Sequence, residues 1–210
     1  MRCPSISRWA SRRFRDETCC MALRPWNSSS ACTDGAAMQI DVPDTRFVLR
    51  PVEKADAADW YAYLALPETV ANTSWDVRSA ADVMRLIGQY HSVLPATAMR
   101  FAICEADDRR LIGTVGFHSI LHGSRTAELA YDLHPAQWGR GVMARSAEAL
   151  VRWGFETQRY VRIQACVHPR NARSIAVLER LGFDYEGRLR NYRLVGGVPA
   201  DFLMYARLPE

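Results

Sequence analysis

The chain has 210 residues, 49% of them hydrophobic, enough for one domain with a real core and some chain left over. Its formal charge of +4 comes from 27 basic and 23 acidic residues, and every basic one except Lys54 is an arginine. The arginines are scattered and interleaved with acids, which argues against nucleic acid as the partner; no run approaches the roughly 18 apolar residues that cross a bilayer; and the cysteine spacings fit neither a disulfide framework nor a zinc site.

Residues 1–37 hold six arginines, several serines and four of the six cysteines, without a hydrophobic period. Such a segment buries too little surface to offset the entropy of ordering, and it is expected to be a disordered extension. An organellar transit peptide is the rival reading, disfavoured by Asp16, Glu17 and Asp34. The domain is expected to occupy residues 38–210. With no secretory signal and cysteines of this kind, a reducing, cytoplasmic setting follows, with no membrane partner and no metal.

From Arg46 onward short strands and helices alternate. Phe47-Val-Leu-Arg-Pro reads as a strand and residues 53–64 as a helix. Ser79 and Asp82 resemble a capping box before a second helix whose Val83, Leu86, Ile87 and Tyr90 share one face. Three strand-like runs follow, at residues 100–104, 111–117 and 126–133, and the short turns between them favour an antiparallel meander. The remainder reads as a helix (141–156), a strand (161–167), a helix (171–181), and two strands joined around Gly196-Gly197.

The segment Leu129-Ala-Tyr-Asp-Leu-His-Pro-Ala-Gln-Trp-Gly-Arg-Gly-Val-Met-Ala is a strand, a glycine turn and a helix with apolar positions repeating near 3.6. The first amides of a helix lack intrahelical partners and carry the positive end of its dipole. They suit a pyrophosphate, which Gly139 and Gly141 let approach closely and to which Arg140 adds charge. The letters Gly139-Arg-Gly141-Val-Met-Ala144 also satisfy the dinucleotide fingerprint G-x-G-x-x-A. A dinucleotide strand, however, runs straight into its first glycine and opens its domain, whereas here five residues intervene and antiparallel strands come first. A glycine-started core helix without a ligand is the plainer alternative.

Tyr131-Asp-Leu-His-Pro-Ala-Gln-Trp-Gly-Arg-Gly-Val-Met, followed by Asn171-Ala-Arg-Ser174-Ile-Ala-Val-Leu-Glu-Arg-Leu-Gly-Phe183, resembles a GNAT acetyltransferase of the RimJ/RimL type, over roughly residues 44 to 208. The superfamily's cofactor loop, [RQ]-x-x-G-x-[GA], reads here Trp138-Gly-Arg-Gly141-Val-Met143, departing at both ends but similar to the Trp and Met variants of that branch. The resemblance implies a single α/β domain. Its mixed, mostly antiparallel sheet is flanked by helices and splayed between the fourth and fifth strands, with the arm of acetyl-CoA in the splay. It implies acetyl-CoA contacts at Asp132, Leu133, Trp138, Gly139, Arg140, Gly141, Val142, Met143, Asn171 and Ser174. A backbone N–H near Asp132 or Leu133 would face the thioester oxygen. Asn171 is equally an excellent helix N-cap, and Ser174 could face solvent in the first turn. Gly182, after Leu181 and before Phe183, has the form of a Schellman stop.

Transfer in this family is direct attack of an amine on the thioester, so the chain must supply a proton acceptor for the amine and a donor for the leaving thiolate. Where the RimJ/RimL pattern has a Glu before the last strand, this chain has Arg193. Glu128, which shares one strand face with Ala130 and Asp132, is the first substitute as base, and His168 the second. The plainer reading makes Glu128 a solvated partner of Arg125, and His168 a loop residue. Ser174 is the preferred donor to sulfur, with Tyr192 or Tyr205 behind it, while Cys166 reads as a small buried hydrophobe. The expected activity is acetyl-CoA-dependent N-acetylation of a protein N-terminus or small primary amine by a monomer or homodimer. A silent acyl-CoA-binding sensor is the rival.

Overall fold

The structure, a computed structural model, describes residues 38–70, 77–92 and 97–210; the reading of residues 1–37 as a disordered extension lies outside them. Alternating side chains build the sheet. In β3 (Met99–Glu105), Phe101 and Ile103 turn to one face and Ala102 to the other; in β4 (Leu111–Leu121), Val115 and Phe117 join the first face. With β1 (Ile40–Asp41), β2 (Phe47–Pro51) and β5 (Thr126–Leu133) these strands make the expected antiparallel meander. The chain then crosses to β6 (Arg162–Val167), parallel to β5, and ends in the hairpin of β7 (Asp184–Val195) and β8 (Val198–Arg207). The spatial order is β1-β2-β3-β4-β5-β6-β8-β7, the last strand inserting between its hairpin partner and β6. Because the two-residue β1 opens the count, the fourth and fifth strands of the sequence reading are β5 and β6.

Helices cover both faces. On one lie α1 (Ala57–Leu64) and α3 (Ala80–Ser92), with α2 (Pro67–Val70) between them in the chain; Trp60, Tyr63, Val83 and Ile87 pack there with Val52, Ala102 and Leu111. On the other, α4 (Val142–Glu156) and α5 (Ala172–Arg180) bury Met143, Ala147, Leu150, Val151 and Leu178 against Phe101, Val115, Phe117 and Leu129. The predicted ends hold. Ser79 Oγ accepts from Asp82 N at 3.2 Å, capping α3. Phe183 N donates to Leu178 O and Gly182 N to Glu179 O, both at 3.0 Å, which is the pair of bonds that defines a Schellman stop.

Candidate active site

The parallel pairing of β5 with β6 is short. It runs only from Thr126↔Arg162 through Glu128↔Gln164, so the C-terminal part of β5 leaves β6, as the splay requires. The strand's direction decides which backbone groups face the opening. His134 N donates to Ile112 O on β4, whereas Leu133 O accepts from the Trp138 indole at 3.0 Å. Since backbone groups alternate along a strand, Asp132 turns its N–H toward β4 and Leu133 and Tyr131 turn theirs to the splay. Of the two residues expected to offer an amide to a thioester, geometry therefore favours Leu133.

Beyond β5 a 3-10 turn over Pro135–Gln137 leads to the glycines. Gly139 and Gly141 have φ of 75° and 72°, left-handed values that strain any residue with a Cβ, and Gly141 is the N-cap of α4. The first helical bond runs from Arg145 N to Gly141 O, so the amides of Val142, Met143 and Ala144 precede the ladder at the positive end of a 15-residue helix. These residues line a cavity of about 350 Å³ shared with Tyr131, Asp132, Leu133, Trp138, Asn171 and Ser174. Of the expected cofactor residues only Arg140 is absent from its wall; exposed, it donates to Gln137 Oε1 at 2.8 Å.

Across the cavity, Asn171 Oδ1 accepts from Ser174 N at 3.2 Å, the cap expected of it, and both residues face the cavity as well. The Tyr131 hydroxyl donates to Ser174 O at 3.1 Å, tying α5 to the splayed end of β5, and burial keeps that phenol protonated. The Arg173 guanidinium lies 4.3 Å from the centre of the Trp138 ring, so the indole standing at the family's [RQ] position is flanked by a cation on the cavity wall.

Other expectations are redirected. Asp132 does reach the cavity, but its carboxylate is spent on structure: it accepts from Trp60 Nε1 (3.1 Å), Thr114 Oγ1 (2.8 Å), the Tyr63 hydroxyl and Arg100. Glu128, nearly buried, is paired not with Arg125 but with Arg193, while Gln164 Nε2 lies 3.5 Å from its other oxygen. Neither Glu128 nor His168, Tyr192 or Tyr205 lines the cavity. His168 accepts from Arg170 N at 3.3 Å and packs edge-on to Phe202, as a turn residue does. Burial, with Glu128 beside it, pushes the Cys166 thiol up to about 11, so it is protonated and unreactive near neutrality. Two cavity residues escaped the sequence reading altogether, Glu68 and Thr69 of α2. Pro67, at the first position of that four-residue helix, was the available signal.

Comparison with known proteins agrees with this geometry. The family profile described as an acetyltransferase (GNAT) domain matches residues 46–184. The chain is 34% identical over 167 residues to an uncharacterized N-acetyltransferase, p20, of Bacillus licheniformis, covering 78% of this chain and 93% of that protein. It is 31% identical over 175 residues to the [ribosomal protein uS5]-alanine N-acetyltransferase of Escherichia coli, covering 77% and 87%. A ribosomal-protein-S5-alanine acetyltransferase from Vibrio fischeri superposes with a TM-score of 0.71 at 22% identity, covering 81% of this chain and 96% of that one, a likeness of fold.

Proposed function

Because this chain belongs to the GNAT acetyltransferase family, as an acetyl-CoA-dependent N-acetyltransferase, we propose that its acceptor is a protein N-terminus or small primary amine and that the splay of β5 from β6 is where transfer occurs. The carrying observation is that one cavity joins the glycine-started N-terminus of α4 to the splayed end of β5. Acetyl-CoA fits that arrangement and supplies an acyl thioester. The amides of Val142, Met143 and Ala144 hold its pyrophosphate, as a helix N-terminus holds any anion. The splay-facing backbone of Tyr131 and Leu133 receives the amide-bearing arm as an added strand would be received, and the Leu133 N–H is the donor to the thioester oxygen.

Proton traffic is assigned to two side chains. Ser174, in the cavity wall, donates toward sulfur. Glu128 receives the amine's proton through water at Oε2, the oxygen that Arg193 does not hold. A weak, water-mediated base suffices for an N-terminal amine: with a pKa near 7.8 its deprotonation at pH 7 costs about 1 kcal/mol, against about 4.6 kcal/mol for a lysine near 10.4. The test is thiol release from acetyl-CoA with a panel of acceptors: a peptide beginning with alanine, spermidine and an aminoglycoside. Release with at least one, and an acetylated product by mass, is expected. Acetyl-CoA binding without release for any of them would return the chain to the sensor reading.

A further inference from the structure

Where the family's cofactor loop carries Arg or Gln, this chain carries Trp138, and that exchange removes a donor from the loop. The indole has a single N–H, and it is spent on Leu133 O at 3.0 Å, so Trp138 has none left for an anion. The arginines of the loop and of the first turn of α4 do not make good the loss. Arg140 donates to Gln137 Oε1 and Arg145 to Arg140 O, and neither lines the cavity. The charged side chains that do line it are Glu68, Asp132, Arg173 and Arg180, and Asp132 is already held by Arg100.

Of those two arginines, Arg173 is the one tied to the loop. It is the second residue of α5, and its guanidinium stands 4.3 Å from the centre of the Trp138 ring. Contact through the face of a guanidinium leaves its in-plane N–H donors uncommitted, and among the described residues no carboxylate or carbonyl takes them. The ring is itself fixed by its bond to Leu133 O, so a long side chain is ordered before a ligand arrives and less freedom is lost on binding. We infer that Arg173 and Trp138 together replace the polar residue missing from the loop: Arg173 donates to the diphosphate of acetyl-CoA, facing the amides of Val142, Met143 and Ala144, and the indole is the platform that holds it there. The inference rests on the acetyl-CoA reading of the cavity, to which it adds a cation from α5 that the loop motif does not contain.

Calorimetry with CoA, and with pantetheine, which lacks every phosphate, tests the pair. Arg173→Gln should raise the CoA Kd about tenfold, flatten its salt dependence and leave pantetheine binding as in wild type. The side chain is exposed, so the melting temperature without ligand should not move. Trp138→Leu should raise the CoA Kd severalfold, and Arg173→Gln added to it should cost less than Arg173→Gln alone, because the stack is already lost. Trp138→Arg placed in the Arg173→Gln chain should recover most of the CoA affinity by returning a cation to the loop. Unchanged CoA affinity in Arg173→Gln would overturn the inference and leave the acetyl-CoA reading intact. An equal loss for pantetheine would also overturn it, giving the guanidinium to the arm, as would strictly additive losses at the two positions. If wild type binds no CoA, the acetyl-CoA reading and this inference fall together.

Discussion

Asp132 shows what one residue can conceal in a sequence. Its place in the motif suggests contact with the cosubstrate, yet its carboxylate is a buried hub whose donors lie as far as 72 residues away in the chain. Trp60 and Tyr63 come from α1, Arg100 from β3 and Thr114 from β4, so the carboxylate fastens α1 to the strand that forms the floor of the splay. Burial, and then the charge of Asp132, hold the Tyr63 phenol well above its usual range, so it remains a donor throughout the neutral range. Side chains of Arg100 and Asp132 are 2% and 3% exposed, and removing one partner strands the other's charge. Asp132→Ala should therefore lose about 3–5 kcal/mol in urea unfolding. The double variant Asp132→Leu, Arg100→Met should recover only part of that, because an apolar pair removes both desolvation costs while the Trp60, Tyr63 and Thr114 donors lose their acceptor. If Asp132→Ala costs under about 1 kcal/mol, the network contributes little.

At the scale of elements, what could be read from the sequence was what neighbours in the chain decide. The Ser79 cap of α3, the Asn171 cap, the Schellman stop at Gly182 and the span of β5 depend on residues within a few positions of one another, and each was legible; the second half of the α3 capping box is not formed as read, since the Asp82 carboxylate accepts from Arg78 N. The missed items depend on distance in sequence. Four-residue α2 is too short to show a helical period, and the Glu128–Arg193 pair joins residues 65 apart. Leu111–Leu121 runs four residues past the predicted end of its strand, because its pairing with β5 continues beyond the irregularity between Phe117 and Ser119. The glycine turn before α4 belongs to the legible class and yields a direct prediction. At φ 72° any Cβ at position 141 is strained, and a carboxylate there would stand at the site offered to phosphate. Gly141→Asp should weaken CoA binding by calorimetry at least a hundredfold, with the far-ultraviolet dichroism of a folded protein. Wild-type affinity in a folded variant would exclude the α4 N-terminus as the phosphate site.

For the whole molecule, the two helical layers divide the labour. The α4/α5 layer presents helix amides and the α5 cap to the cavity, while the α1–α3 layer brings Trp60 and Tyr63 onto Asp132 and, through α2, Glu68 and Thr69 to the cavity. Glu128 shares a strand face with Asp132, as their spacing of four requires, and so stands on the α1 side of the sheet. There it meets Arg193, so the first candidate for the base and the arginine that stands in place of the family's glutamate form one ion pair. That pairing sets the form of the final prediction. A general base helps only while the amine is mostly protonated. Glu128→Gln should then lower kcat by about 10² at pH 7 with acetyl-CoA affinity nearly intact. An N-terminal amine near pKa 7.8 is mostly neutral at pH 9, so the deficit should shrink toward severalfold there. His168→Gln, at a ring that accepts from a turn amide and lies outside the cavity wall, should follow wild type at every pH. Parallel wild-type and Glu128→Gln profiles from pH 6 to 9 would confine Glu128 to holding Arg193, and the amine's proton would leave to solvent alone.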